Sequence, residues 1–319
     1  MVNTSVVNTF KHETVLLKEA VAALDIKEDG VYIDATFGRG GHSAEIIKQL
    51  SPKGRLLVID KDPLAIAHAK GVYKDDNRVL VWQGSFKDFP DALQDTGLGK
   101  ADGILLDLGV SSPQLDDASR GFSFMRDGDL DMRMNPEVGE SAAEWLAKAS
   151  EEEIANVIYQ YGEDKLSRRI ARTIVDKRAE VKISTTLQLA EIIASSIPMR
   201  LQKKEPGKHP ATRSFQAIRI FINRELDDLN ECLSNSKEFL ATQGRLVVIS
   251  FHSLEDRIVK RFMKKESSAP RIPRGLPIMD DQLSRPGFKL IGKAVRPSRD
   301  EVEGNVRSRS AIMRIGEKQ

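Results

Sequence analysis

One stretch constrains this chain more than any other. Val31-Tyr32-Ile33-Asp34-Ala35-Thr36-Phe37-Gly38-Arg39-Gly40-Gly41-His42 is an apolar run that ends on a carboxylate and breaks into glycines. Val31 to Ile33 suit a parallel strand covered on both faces, and Gly38, Gly40 and Gly41 let the backbone turn sharply and approach a ligand closely. Ser43-Ala44-Glu45-Ile46-Ile47 then opens a helix whose first free N–H groups point at the glycine turn. Strand, tight turn and helix in that order make a nucleotide-sized pocket. Gly38-Arg39-Gly40 matches half of the dinucleotide fingerprint, with Ser43 in the place of its third glycine. A glycine turn without a ligand is the plain alternative.

The next unit argues for a ligand. Arg55-Leu56-Leu57-Val58-Ile59-Asp60 is a second buried strand ending in a carboxylate, about twenty residues past the glycines, where an acid would meet ribose hydroxyls. Asp62 then reads as an N-cap and Pro63 as the first helical residue, which predicts a crossover helix over residues 64–70. The ligand is expected to be an adenosine-containing cofactor, with NAD and S-adenosylmethionine both open at this point.

Further strands are expected at residues 79–82, closed by Gly84, at 103–107 and at 245–250. Phe86 falls where a ring at the carboxyl end of a strand can stack on a base, although a core aromatic fits equally well. A short amphipathic helix is predicted over 14–24; His12 before it is either a group that faces the cofactor or, the reading the sequence favours, a loop histidine without a role. From residue 135 to 208 the alternation stops, and helices are predicted at 142–148, 151–159, 165–178 and 185–196. Residues 212–240 read as largely helical, 267–299 as loop and 310–315 as a terminal edge strand. The expected architecture is α/β, a doubly wound Rossmann-like sheet built from residues 1–134 and 209–319, with an inserted all-helical domain at 135–208 expected to recognise RNA.

With 319 residues the chain exceeds one average domain, and its net charge of +2 excludes little. The distribution says more: basic residues outnumber acidic ones from Arg257 onward and again between Arg200 and Arg224, either a solvated face or an RNA-backbone footprint. Cys232 is the only cysteine, so an internal disulfide and a cysteine-based metal cage are excluded, and no metal is expected. Residues 1–10 have neither a basic start nor an apolar core, and no apolar run approaches membrane-spanning length, so the expected location is cytoplasmic.

In an open parallel sheet the chemistry lies beyond the carboxyl ends of the strands. Asp107-Leu108-Gly109-Val110-Ser111-Ser112-Pro113-Gln114 follows the fourth strand. The exocyclic amine of a cytosine is a poor nucleophile because its lone pair is delocalised. Acceptors that hold its N–H groups out of the ring plane make the pair available. A Ser-Pro turn supplies such acceptors, since proline has no competing N–H, which makes Ser112 a candidate catalytic residue; an ordinary turn is the alternative. After the fifth strand comes Ser250-Phe251-His252-Ser253-Leu254-Glu255-Asp256, where His252 is a candidate to orient the base or carry off a proton, or a structural histidine.

Taken together, these residues resemble a known family. His12-Glu13-Thr14-Val15-Leu16-Leu17, Asp34-x-Thr36-Phe37-Gly38-Arg39-Gly40-Gly41-His42-Ser43, Asp107 to Asp116, Arg120-Gly121-Phe122-Ser123-Phe124, Leu130-Asp131-Met132-Arg133-Met134, His209-Pro210-Ala211-Thr212-Arg213-x-Phe215-Gln216-Ala217 and Ser250 to Arg257 are similar to the RsmH/MraW family, the 16S ribosomal RNA cytosine-N4 methyltransferases. The resemblance implies S-adenosylmethionine as cofactor and, as substrate, a cytosine in the decoding region of the small ribosomal subunit, methylated by direct transfer. It also implies cofactor contacts from Gly38, Gly40, Gly41 and His42, ribose hydroxyls on Asp60, adenine against Phe86, and Asp107 and Gln114 completing the pocket. Partners would be 16S rRNA within the small subunit, with no membrane and no DNA; association as a homodimer is left open. The wider group of amino-methyltransferases often carries Pro-Pro and an aromatic at this turn, where this chain has Pro113-Gln114-Leu115, so the ring that stacks on the target base is sought at Phe122 or Phe124. The competing readings are a DNA amino-methyltransferase, an NAD-linked oxidoreductase and a non-catalytic ribosome-assembly factor.

Overall fold

A computed structural model of the chain describes residues 14–202, 209–268 and 286–319; His12 lies outside them. The first part of the chain runs α1 (Leu17–Ala23), β1 (Val31–Asp34), α2 (Gly41–Gln49), β2 (Arg55–Asp60), α3 (Pro63–Val72), β3 (Val79–Gln83), α4 (Phe89–Asp95), β4 (Ala101–Asp107) and α5 (Ser112–Asp116). Then come α6 (Ala142–Lys148), α7 (Glu151–Gly162), α8 (Ser167–Glu180), α9 (Thr186–Ser196), α10 (Met199–Gln202), α11 (Thr212–Asn223) and α12 (Glu225–Phe239). The last part is β5 (Leu240–Ser250), α13 (Ser253–Glu266), β6 (Phe288–Leu290), α14 (Arg299–Gly304) and β7 (Ile312–Lys318).

The strands form one 7-stranded sheet in the order β3-β2-β1-β4-β5-β7-β6. β1 to β5 are mutually parallel, and β7 runs antiparallel to both β5 and β6. The terminal strand expected at an edge is therefore interior. β6, whose Phe288 emerges from a proline- and arginine-rich stretch without a long apolar run, covers its outer side.

Alternate strand residues face opposite layers, as the period of two requires. Tyr32, Leu56, Val58, Leu105 and Val247 pack under α1, α2 and α3, while Ile33, Leu57, Ile59, Ile104 and Val248 pack under α4, α12 and α13. Asp62 accepts the Leu64 N–H at 3.0 Å with Pro63 in the first turn, so α3 starts where the sequence places it.

Three of the inserted helices, α6, α7 and α9, start on capping boxes: Ser141 with Glu144, Ser150 with Glu153, and Thr185 with Gln188. Their shared core holds Trp145, Ile154, Ile158, Ile170, Ile174, Leu189 and Ile193. It also holds Leu130 and Met132 on one side and Phe215, Ala217 and Ile218 of α11 on the other, so the helical core reaches past both 135 and 208. The helical run at 212–240 is broken at Arg224, which adopts the left-handed conformation with φ 53. α11 accordingly packs with the inserted helices, and α12 turns back to bury Leu229, Cys232 and Leu233 against the sheet.

Candidate active site

Asp34, Asp60 and Asp107 end β1, β2 and β4, and a cleft opens beyond them. The turn after β1 needs its glycines. Gly40 sits at φ 77 as the N-cap of α2, and a Cβ on Gly41 would fall 1.8 Å from Thr14 Oγ1. Asp60 accepts the Gly38 N–H at 2.8 Å through Oδ2 and the Asp62 N–H at 2.9 Å through Oδ1, so one carboxylate organises both loops around it. Burial pushes the Asp60 carboxyl up to about 6, against the pull of those two N–H groups. Asp34, which accepts the Ser43 hydroxyl at 2.6 Å, is pushed up to about 6 by the same cause.

His42 and Asp107 face each other at the end of this half of the cleft, with Nδ1 3.8 Å from Oδ2. Burial lowers His42 to about 4, which keeps the imidazole neutral. Burial, with Asp34 and Glu255 adding to it, raises the Asp107 carboxyl well above the usual range. His42 Nε2 and Asp107 Oδ1 are buried and have no hydrogen-bond partner among the described residues. Orphaned polar atoms at the rim of a cleft, beside a glycine cradle, are groups held ready for a polar ligand.

The far half of the cleft is lined by the turn from Leu108 to Ser112, by Gln114 and Met134, and by Glu225, Leu229, Phe251 and Glu255. Gln114 closes the capping box of α5 by accepting the Ser111 N–H at 2.9 Å, and its amide donates to Asp62 Oδ2 at 2.9 Å. Ser112 Oγ accepts a hydrogen bond from Arg307, which also reaches Asp116 at 2.9 Å, and Asn305 and Arg307 complete the rim. Phe86 lines the cleft beyond β3.

His252 is not among the lining residues. It caps α13, its Nε2 lying 3.1 Å from Glu255 Oε1, while Phe251 and Glu255 on either side of it face the cleft. Burial pushes Glu255 up, but His252, Arg219 and the Phe251 N–H together outweigh it and hold the carboxyl below the usual range. Phe122 is buried with Arg120 5.8 Å from its ring centre, and Phe124 packs 4.7 Å from both His209 and Phe215. Neither lines the cleft. Glu225, His252 and Glu255 bring ligand-type atoms within 4.8 Å of one another, but Arg219 takes both Glu225 oxygens at 2.8 and 2.9 Å. Cys232 is fully buried against the sheet, where burial raises its thiol pKa far from nucleophilic use.

Phe251, Glu225, Lys61, Met134 and Arg307 escape a reading of the sequence. Phe251 alone left a signal, as the aromatic that directly follows the fifth strand.

The sequence model of the MraW methylase family matches residues 9–319. The chain belongs to this family. It is 55% identical over 309 residues to the ribosomal RNA small subunit methyltransferase H of Pseudoalteromonas atlantica, covering 96% of this chain and 98% of the relative. Over 308 residues it is 53% identical to the protein of the same name from Thioalkalivibrio sulfidiphilus, covering 96% and 97%. A crystal structure of a putative rRNA-methylase from Clostridium thermocellum aligns with a TM-score of 0.46 at 12% identity, covering 97% of this chain and 100% of that one. As an MraW methylase the protein takes its methyl group from S-adenosylmethionine. The residues suit that cofactor: Gly38 and Gly41 line the cleft without side chains, and the unpartnered atoms of His42 and Asp107 await polar contacts. In this MraW methylase the cleft continues past Asp107 to Phe251.

Proposed function

We propose that this chain methylates the exocyclic N4 amine of a cytosine in the decoding region of 16S rRNA, in the cytoplasm and with the small ribosomal subunit as the physical substrate. One observation carries the reading. The cleft has two halves that meet at Asp107: a glycine-and-acid half suited to an adenosine cofactor, and an acceptor-rich half built by the β4 turn and the end of β5.

S-adenosylmethionine supplies, when bound, a methyl group on a positively charged sulfur. Gly38, Gly40, Gly41 and His42 would hold it at the amino end of α2, Asp60 would take the ribose hydroxyls, Phe86 would lie against adenine, and Asp107 and Gln114 would complete the pocket. Burial raises the Asp107 carboxyl and a cation beside it would offset that rise, so the group favours a charged ligand over a neutral one. On the acceptor side, residues 109–112 line the cleft, and backbone carbonyls there together with the Ser112 hydroxyl, which also accepts from Arg307, would supply acceptors for an amine that loses its planarity. His252, through Glu255, holds the end of β5 in place.

Exposed cations support an RNA partner. Lys165, Arg168, Arg169 and Arg172 lie at the start of α8, and Lys260, Arg261, Lys264 and Lys265 lie along α13, all exposed. An ion pair between Arg257 and Glu163 at 2.9 Å joins the two regions. No helix among the described residues is long and apolar enough to cross a membrane.

The test is incubation with methyl-labelled S-adenosylmethionine and, separately, undermethylated small subunits, free 16S rRNA and DNA, followed by nucleoside mass spectrometry. N4-methylcytidine from subunits is the expected result. Label in DNA would favour a DNA amino-methyltransferase, and subunit binding with no label anywhere would favour an assembly factor.

A further inference from the structure

We infer that the target cytosine stacks on the ring of Phe251, in the strip of space beside Gly109, and that this ring rather than one from the α5 region sets the acceptor base in place. The inference rests on the methyltransferase reading above.

Three aromatic rings line the cleft among the described residues: Phe37, Phe86 and Phe251. Phe37 is buried beneath Gly40, whose added Cβ would meet its ring at 2.6 Å, and it packs against His68 and Tyr73 with centroids 6.2 Å away. It supports the turn and offers no face. Phe86 stands beyond β3, at the cofactor end. Phe251 remains. It directly follows β5, is half-buried, and has no ring partner among the described residues.

The neighbourhood suits a flat base. Gly109 holds φ 100, a conformation that side chains rarely adopt, and its added Cβ would stand 3.8 Å from Phe251 Cδ2, so glycine here leaves that edge of the ring uncovered by a side chain. The Phe251 N–H donates to Glu255 Oε2 at 2.8 Å, which fixes the backbone that carries the ring. Glu255 also lines the cleft, but its Oε2 accepts the Phe251 and His252 N–H groups and its Oε1 lies 3.1 Å from His252 Nε2, so it fixes the ring's backbone and leaves recognition of the base to the ring face and the turn after β4. A ring of this kind grips a base by its face whatever the base.

The experiment compares wild type with Phe251→Ala, Phe251→Leu and Phe251→Tyr on the same undermethylated subunits, with cofactor binding to the RNA-free protein measured alongside. The expected result is a loss of roughly ten-fold or more in kcat/KM for the subunit in the Ala and Leu variants. Tyr is expected to retain activity, and all three variants to keep the wild-type cofactor Kd within about two-fold, as befits a missing stacking face on an intact fold. Leucine keeps bulk and apolarity, so a Leu variant with wild-type kcat/KM would overturn the stacking role. Loss of cofactor binding together with turnover would overturn it as well. Should wild type make no methylcytidine on any polymer, the methyltransferase reading fails by itself. The ring is then read separately from the emission of Phe251→Trp, corrected for wild type, during titration with a cytosine-containing oligoribonucleotide: quenching supports stacking, and unchanged emission rejects it.

Discussion

Arg120 and Asp62 form a buried ion pair, Nη1 to Oδ2 at 2.9 Å, that fastens the cofactor side of the sheet to the entrance of the inserted helices. The same guanidinium donates to the carbonyls of Arg133 at 3.2 Å and Met134 at 2.8 Å, and Gln114 donates to the same carboxylate oxygen. Asn223 closes the joint from the other chain crossing, accepting the Met134 N–H at 2.7 Å and donating to the Met132 carbonyl at 2.7 Å. Met134 lines the cleft, so this joint positions part of the acceptor half.

Removing one partner of this pair leaves a buried charge without compensation. Arg120→Ala is expected to destabilise the fold by about 3–5 kcal/mol, read from urea unfolding. Arg120→Lys should recover only part of that, because one ammonium cannot serve the carboxylate and two carbonyls with the planar fork of arginine. A wild-type midpoint for Arg120→Ala would show that the joint is not held by this pair.

The raised Asp60 carboxyl has a definite sign. Its folded value of about 6 exceeds the ordinary carboxylate value of about 4, so the folded state holds a proton that the unfolded chain releases. Its contribution to stability is present at low pH and is lost as pH rises through about 6. Burial of His42, lowered to about 4, works in the opposite sense, costing stability as pH falls from its ordinary value of about 6.5 towards 4. Asp60→Asn removes the first effect and keeps the second. Between about pH 4 and 6 the stability of the Asn variant should therefore climb relative to wild type by up to one proton's slope, measured on cofactor-free protein by denaturant titration at several pH values. Parallel profiles would mean that Asp60 does not titrate in this window.

Backbone grip by exposed cations makes binding salt-dependent. Replacing Lys260, Arg261, Lys264 and Lys265 together by alanine should flatten the fall of subunit affinity with log salt, with little change in cofactor affinity. Each phosphate that these cations no longer neutralise should reduce the slope by about 0.7–0.9. An unchanged slope would remove α13 from the RNA footprint.

Much of the glycine-and-acid half of the cleft was legible in the sequence because its signals are local. A strand ending in Asp34 or Asp60, an Asp62-Pro63 cap and a glycine turn each lie within a few residues, and backbone conformation reads them directly. The acceptor half was legible only in part. Ser112 was found as a turn residue, but its partner Arg307 lies 195 residues away. His252 was the conspicuous side chain after β5, yet Phe251 and Glu255 on either side of it face the cleft, because the helix start turns the histidine into a cap. Phe122 and Phe124 stand close to the turn in sequence, but burial beside Arg120 and packing on Phe215 take both away from it.

The sequence by itself determined the parallel strands β1 to β5, the caps and the glycine turn, because hydrophobic period, capping chemistry and positive φ act over single turns of chain. Tertiary structure alone decided that β7 lies inside the sheet, that the helical core takes in Phe215 and Ile218, and that Arg120 meets Asp62. Those outcomes depend on which surfaces remain to be covered once the elements dock, and partners 58 or 195 residues apart leave no periodic trace of their meeting.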